Sequence, residues 1–344
     1  MAKVRERGEK IRRFILENVE SHPSDISNVT AERFGISRQA VNKHLQRLAG
    51  EQALVVSGKT RNRRYELAPA EAWLKRYAIT PDLAEDRVWA TDLRPVFDNL
   101  PENVRSIWQY AFTEIFNNAL EHSEGSDVTV VIRKWPQRST IVIGDNGVGI
   151  FKKIQKALGL LDERHAVLEL AKGKMTTDPQ RHTGEGVFFT SRMMDRFHIL
   201  SGDVFFSHEF GKPEDWIEQL RPSRQGTFVV MELSNHSART TKKVFDRFAS
   251  GDDYSFSRTI VPVRMAQYGD DELISRSQAK RLLARIDLFK TVMFDFTGVH
   301  MIGQAFADEI FRVFAHSHPR IELLVTRANS AVKRMIARAK SVSS

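Results

Sequence analysis

Residues 112–122, FTEIFNNALEH, carry two patterns at once. At helical spacing Phe112, Ile115, Phe116, Ala119 and Leu120 share one face, so the segment must lay that face on a core. The opposite side holds Glu114, Asn117, Asn118 and His122 instead of the Lys and Glu of an ordinary solvated helix. Glu114 and Asn118, and likewise Asn117 and Glu121, are four apart and stack on one strip. Asn is a mediocre helix former, so two in mid-helix cost roughly a few tenths of a kcal/mol each unless they bind something. Taken alone, the strip fits a polar surface and a ligand-binding face equally well. After a turn at 124–127 the period changes to two: VTVVIRKW alternates as a strand, and STIVIGDNGVGI reads as a second strand ending in Asp145-Asn146-Gly147-Val148-Gly149.

Composition narrows the classes. A chain of 344 residues has room for two or three domains with cores, and 41% hydrophobic with 28% charged residues suits a soluble globular protein. No apolar run approaches the length of a membrane span, and MAKVRERGEK does not look like an export signal. With no cysteine, disulfides, thiolate metal sites and thiol catalysis are excluded, which fits a cytoplasmic setting. Residues 1–68 hold six of the nine net positive charges, the footprint of a nucleic-acid-binding module.

That basic segment has its own pattern. KIRRFILENVE is amphipathic, a short helix follows over 27–34, and a third helix starts after Ser37, a good N-cap. Val41, Leu45 and Leu48 would turn inward, leaving Arg38, Gln39, Asn42, Lys43 and Gln46 outward. Such side chains read base edges and phosphates. LVVSGKTRNRRYEL adds two strand-like runs around a turn bearing Lys59, Arg61, Arg63 and Arg64. Residues 1–68 therefore resemble a winged helix-turn-helix domain, which implies double-stranded DNA as a partner, contacted by Arg38, Gln39, Asn42, Lys43 and, on the wing, Arg61, Arg63 and Arg64. A protein-interaction role for such a module is the alternative. Residues 69–84 read as a linker helix broken at Pro81.

Four elements over 85–240 agree in order: the Glu/Asn helix, the DNGVGI strand end, HTGEGVFF opening a helix, and the strand GTFVVMEL. Together they resemble the GHKL ATPases, which include gyrase-type ATPases and the histidine and anti-sigma-factor kinases. The resemblance implies a Bergerat-type α/β sandwich binding ATP and Mg²⁺. It casts Asn118 as the metal ligand, Glu114 as the general base, and Asp145 as acceptor of the adenine amine. Gly147 and Gly149 would let the backbone approach the base, Gly184 and Gly186 would wrap the phosphates, and Thr227 would bond near adenine. His122 matches a position often His or aromatic in the anti-sigma-factor branch, and a packing histidine fits as well. The ATP lid would lie between Ile150 and Thr183, with Lys172, Lys174 and Arg181 in reach of phosphates; among these Lys174 is the candidate nucleotide contact.

From 255 to 344, strand and helix alternate, which argues for a mainly parallel sheet with crossover helices. VMFDFTGVHMIGQAFADEI resembles STAS-like domains. Where anti-anti-sigma factors carry a phosphorylatable Ser, this chain has Ile302-Gly303-Gln304-Ala305, with Thr297 the nearest hydroxyl. A docking or dimerisation role without a phospho-switch is expected. The whole is thus expected to be a multidomain α+β, ATP-binding, DNA-binding transcriptional regulator, cytoplasmic and homodimeric, with a protein partner or self-association through the STAS-like domain. An anti-sigma-type Ser/Thr kinase acting on a STAS-like partner is the rival reading.

Overall fold

The computed structural model describes residues 2–341 except 60–61, 176–183, 213–214, 250–255 and 268–271, so Arg61 and Arg181 lie outside the described residues. The chain divides into two compact units, residues 1–73 with 133–136, and residues 74–132 with 137–344.

The first unit holds three helices, α1 (Ala2–Asn18), α2 (Ile26–Phe34) and α3 (Arg38–Gly50), then an antiparallel pair, β1 (Leu54–Ser57) and β2 (Arg64–Leu67). Ile11, Ile15, Val19, Ile26, Val41, Leu45, Leu48, Leu54 and Tyr65 close its core. Gly35 ends α2 in the left-handed conformation, φ 59°, and Ser37 caps α3 by accepting from the Ala40 amide at 3.2 Å. With Val41, Leu45 and Leu48 buried, Arg38, Gln39, Asn42, Lys43 and Gln46 stand exposed on one side of α3, and Arg63 and Arg64 are exposed at the hairpin.

The segment expected as a linker helix is a strand. EAWLKRYA forms β3 (Glu71–Ala78), the edge of a five-stranded sheet ordered β3-β4-β5-β7-β6. Its partners are β4 (Asp127–Lys134), β5 (Arg138–Asp145), β6 (Arg196–Glu209) and β7 (Trp216–Ser234), with β7 antiparallel to both β5 and β6. Good helix formers such as Glu71, Ala72 and Leu74 yield here to pairing with β4, since sheet contacts outweigh weak intrinsic propensities.

Before the sheet's main helix run the short helices α4 (Glu85–Val88) and α5 (Arg94–Phe97), with a π-turn at Trp89–Leu93 between them. Next comes α6 (Glu102–His122), whose Val104, Ile107, Trp108, Ala111, Phe112, Ile115, Phe116 and Ala119 are all buried at the 3–4 spacing. Leu120, expected inside, is only half-buried. Phe112 stacks on Phe116 with centroids 5.0 Å apart, and Tyr77 from β3 meets Phe116 edge-on at 5.6 Å. α7 (Ile150–Leu158), α8 (Glu163–Lys172), α9 (Gly186–Met193) and α10 (Thr241–Phe248) complete this layer, α7 and α9 lying against β6 and α6 against β5 and α9.

The C-terminal part has the expected alternation: β8 (Arg258–Pro262), α11 (Arg276–Leu283), β9 (Thr291–Asp295), α12 (Gln304–Asp308), a π-turn at Glu309–Phe314, α13 (Ala315–Ser317), β10 (Glu322–Thr326) and α14 (Ser330–Ser341). β8 and β10 both run parallel to β9, in the order β10-β9-β8. A capping box at Ser275 and Gln278 starts α11. Among the described residues no helix is long and apolar enough to cross a membrane.

Candidate functional site

A cavity of about 480 Å³ opens between α6, the end of β5, the middle of β7, and the start of α9. The polar strip of α6 faces it: Tyr110, Glu114, Asn117, Asn118 and His122 all line the wall, while Ile115, Ile143, Ile154, Ile199 and Val229 supply apolar surface. The polar groups on α6 therefore sit over a ligand-sized space rather than over open solvent, which answers the question their spacing raised.

Asp145 ends β5 and is 7% exposed. Its Oδ1 accepts from the Gly147 amide at 2.9 Å and the Thr227 amide at 3.3 Å. Burial pushes its carboxyl upward against the pull of those two hydrogen bonds, and burial wins. Thr227 accepts at Oγ1 from the Ile150 amide at 3.0 Å, fixing the start of α7. A Cβ on Gly147 would sit 1.9 Å from the Ser123 carbonyl oxygen, and one on Gly226 would sit 1.9 Å from that of Asp145. Gly149 caps α7 with φ 89°. Asn146 points elsewhere: its Oδ1 takes the Ser126 and Asp127 amides at 2.9 and 3.1 Å and so fastens the loop after α6.

At the other end Gly184 and Gly186 line the cavity where α9 begins. A Cβ on Gly186 would lie 1.9 Å from Glu114 Oε2, so the carboxylate rests against the backbone at that helix start. Glu185, between the glycines, is raised by its burial; Tyr110 is raised by burial and then by the charges of Glu114 and Glu185. Lys153 lines the wall with its ammonium on the His122 carbonyl at 2.8 Å and on Glu124 at 3.0 Å. Three carboxylates and one ammonium thus face the space among the described lining residues. An anionic ligand fits that balance when a divalent cation comes with it. Oxygen donors from Glu114 and Asn118 suit Mg²⁺, which takes one or two protein ligands besides phosphates. Among the described residues no cluster of three His, Cys, Asp or Glu could hold a metal by itself.

The structure therefore gathers Glu114, Asn118, Asp145, Gly184, Gly186 and Thr227 around one space, with Gly147 and Gly149 forming the turn beneath. Lys174 does not line it. Its Nζ donates to the Leu288 carbonyl at 3.0 Å, and Lys172 is likewise buried away from the cavity. Tyr110, Lys153, Glu185 and Gly226 were not singled out from the sequence. Tyr110 was legible, four residues before Glu114 on the same strip, and Gly226 directly precedes Thr227. Lys153 and Glu185 carried no such signal.

In the C-terminal sheet, Thr297 donates its hydroxyl to Asp295 Oδ1 at 2.7 Å, and Arg327 pairs with Asp295 at 2.9 Å. No curated protein sequence matches the chain. Residues 278–333 match the family model of a STAS-like domain of unknown function (DUF4325), so the C-terminal region of this chain carries a STAS-like domain.

Proposed function

We propose that the chain is an ATP-binding, DNA-binding transcriptional regulator. Its helix-and-hairpin unit is a winged helix-turn-helix, and its five-stranded unit is a GHKL-type ATP site. One observation carries the reading: residues scattered from 114 to 227, each with a role in that superfamily, line or underlie one cavity of about 480 Å³. Asp145 orients the adenine amine, Thr227 steadies the same end, and Asn118 would hold the metal at the phosphate end. That ion would supply positive charge against the phosphates. Glu114 takes the proton of an attacking water or hydroxyl.

Function follows from linkage. If nucleotide changes DNA affinity by some factor, DNA changes nucleotide affinity by the same factor. Partner docking through the STAS-like domain enters the same balance. Incubation with Mg²⁺ and ATP labelled on the γ-phosphate separates the chemistries. Free labelled phosphate or intact bound ATP, lost in Asn118→Ala, supports the regulator. Label on the protein, lost in Asn118→Ala and Glu114→Ala, turns the reading to an anti-sigma-type protein kinase. No nucleotide retained by the wild type would end both readings.

The exposed side of α3 makes the DNA part testable by itself. Replacing Arg38 and Lys43 together by alanine is expected to weaken duplex binding across sequences and to reduce the slope of log affinity against log salt by roughly 2. Fluorescence anisotropy at several salt concentrations reads both. An unchanged slope would remove these residues from any phosphate contact.

A further inference from the structure

The wall of the cavity formed by Leu170 and Met175 belongs to a short run, residues 169–175, whose outer side is fastened to the C-terminal region. Lys172, 1% exposed, has three ammonium protons and three acceptors: Glu169 Oε1 at 2.6 Å, the Ala284 carbonyl at 2.8 Å and the Arg281 carbonyl at 3.2 Å. Thr259 donates to the carbonyl of Lys172 at 2.6 Å. Arg285 donates to the Lys174 carbonyl at 2.5 Å and to the Met175 sulfur, and faces Glu169 Oε2 at 3.7 Å. Lys174 returns a hydrogen bond to the Leu288 carbonyl, and its ammonium lies 5.0 Å from the centre of the Phe289 ring. Arg281, Ala284, Arg285 and Leu288 all fall inside the STAS-like match.

Such saturation has a physical meaning. A buried ammonium is tolerated only where nearly every proton is bonded, so Lys172, with the partly exposed Arg285 beside it, fixes residues 169–175 in one position. Met175 is the last described residue before 176, and its amide donates to the Gly184 carbonyl at 3.0 Å, which bears directly on the glycine run at the start of α9. A shift of α11 and the turn after it would therefore move two lining residues and the Gly184 end together.

We infer that Arg285, a residue of the STAS-like domain, is a positioning residue for the nucleotide cavity, acting through Lys174 and Met175. The inference rests on the nucleotide reading above. The STAS-like domain then braces the ATP site's wall from behind, and whatever docks on that domain changes nucleotide affinity through this latch. Nucleotide binding acts back on the latch by the same factor.

The test uses the full chain and a non-hydrolysable ATP analogue with Mg²⁺, by calorimetry, with wild type, Arg285→Ala, Arg285→Lys and, as site control, Asp145→Asn. Arg285→Ala is expected to weaken the analogue by about tenfold, within the usual range of coupling between sites. Arg285→Lys, which keeps one donor and the charge, should recover part of that loss. Hydrogen exchange supplies the readout that a purely structural role would not move. Amides of 281–288 should slow on adding the analogue to wild type and stay unchanged in Arg285→Ala. Equal affinity in wild type and Arg285→Ala, or no exchange response at 281–288 in wild type that binds, overturns the latch while leaving the nucleotide reading intact. Failure of wild type to bind overturns both.

Discussion

Asp145→Asn is expected to weaken binding of an adenine nucleotide by about 100-fold or more, because it sets a donor against a donor. One carboxylate oxygen is committed to the Gly147 and Thr227 amides. An asparagine would keep those bonds with its carbonyl and turn its amide nitrogen toward the ligand. An exocyclic amine would then meet an N–H group at the wall of the cavity. A purine with a carbonyl at that position should suffer far less, so the ratio of adenine to guanine nucleotide affinities should collapse along with the adenine affinity. Equilibrium binding of both nucleotides by both proteins settles the matter. A parallel loss for both bases would mean that Asp145 supports the backbone and does not read the base.

The same residue gives a pH signature with a definite sign. Burial raises the folded carboxyl above the ordinary aspartate value, so the folded protein binds a proton more readily than the unfolded chain. The unliganded protein should lose stability as pH rises from the ordinary aspartate value through the raised one. Asp145→Asn should show no such step. Adenine binding runs the other way, since the amine needs the carboxylate, and should strengthen over that interval.

Glu169→Leu should cost about 3–5 kcal/mol of stability, the range for removing one partner of a buried ion pair. Glu169 and Lys172 are 4% and 1% exposed, and the glutamate also faces Arg285. Without it the buried Lys172 ammonium is left with carbonyl oxygens alone, and the partly exposed Arg285 loses its facing carboxylate. Glu169→Gln keeps an acceptor for Lys172 and should lose distinctly less. Burial already lowers the Lys172 ammonium, and the negative charge of Glu169 opposes that shift. In Glu169→Leu the lysine should therefore release its proton at lower pH, and the deficit should shrink as the medium becomes alkaline. Urea unfolding at neutral and alkaline pH reads both quantities. A loss under about 1 kcal/mol would show that solvent reaches the pair.

Periodicity and capping were legible where one element meets one core. The inward residues of α3, the alternation of β4 and the buried stripe of α6 each follow from local spacing. Strand and helix alternation gave the parallel C-terminal sheet for the same reason. β3 was illegible because its sequence favours helix and only its position beside β4 makes it a strand. β6 went unread although Phe197, Ile199 and Ser201 alternate inward, because RFHILSG directly follows a helical stretch and no turn signal separates them. The destination of Lys172 could not be read at all. Its acceptors, the carbonyls of 281 and 284, lie more than a hundred residues away, and main-chain acceptors leave no mark on the sequence.

The close approaches around Asp145 and Glu114 bear on how such a site can change over generations. At Gly147, Gly186 and Gly226 even one added carbon would overlap a carbonyl or carboxylate oxygen at 1.9 Å. Single substitutions at Gly147 and Gly226, which would meet main chain, disrupt the site before they can retune it, and one at Gly186 displaces the Glu114 carboxylate. The open routes are the apolar lining positions, Ile115, Ile143, Ile154, Ile199 and Val229, where a methylene more or less is tolerated at modest cost. Ligand preference in chains of this design should therefore drift by reshaping the walls while the polar anchor stays in place.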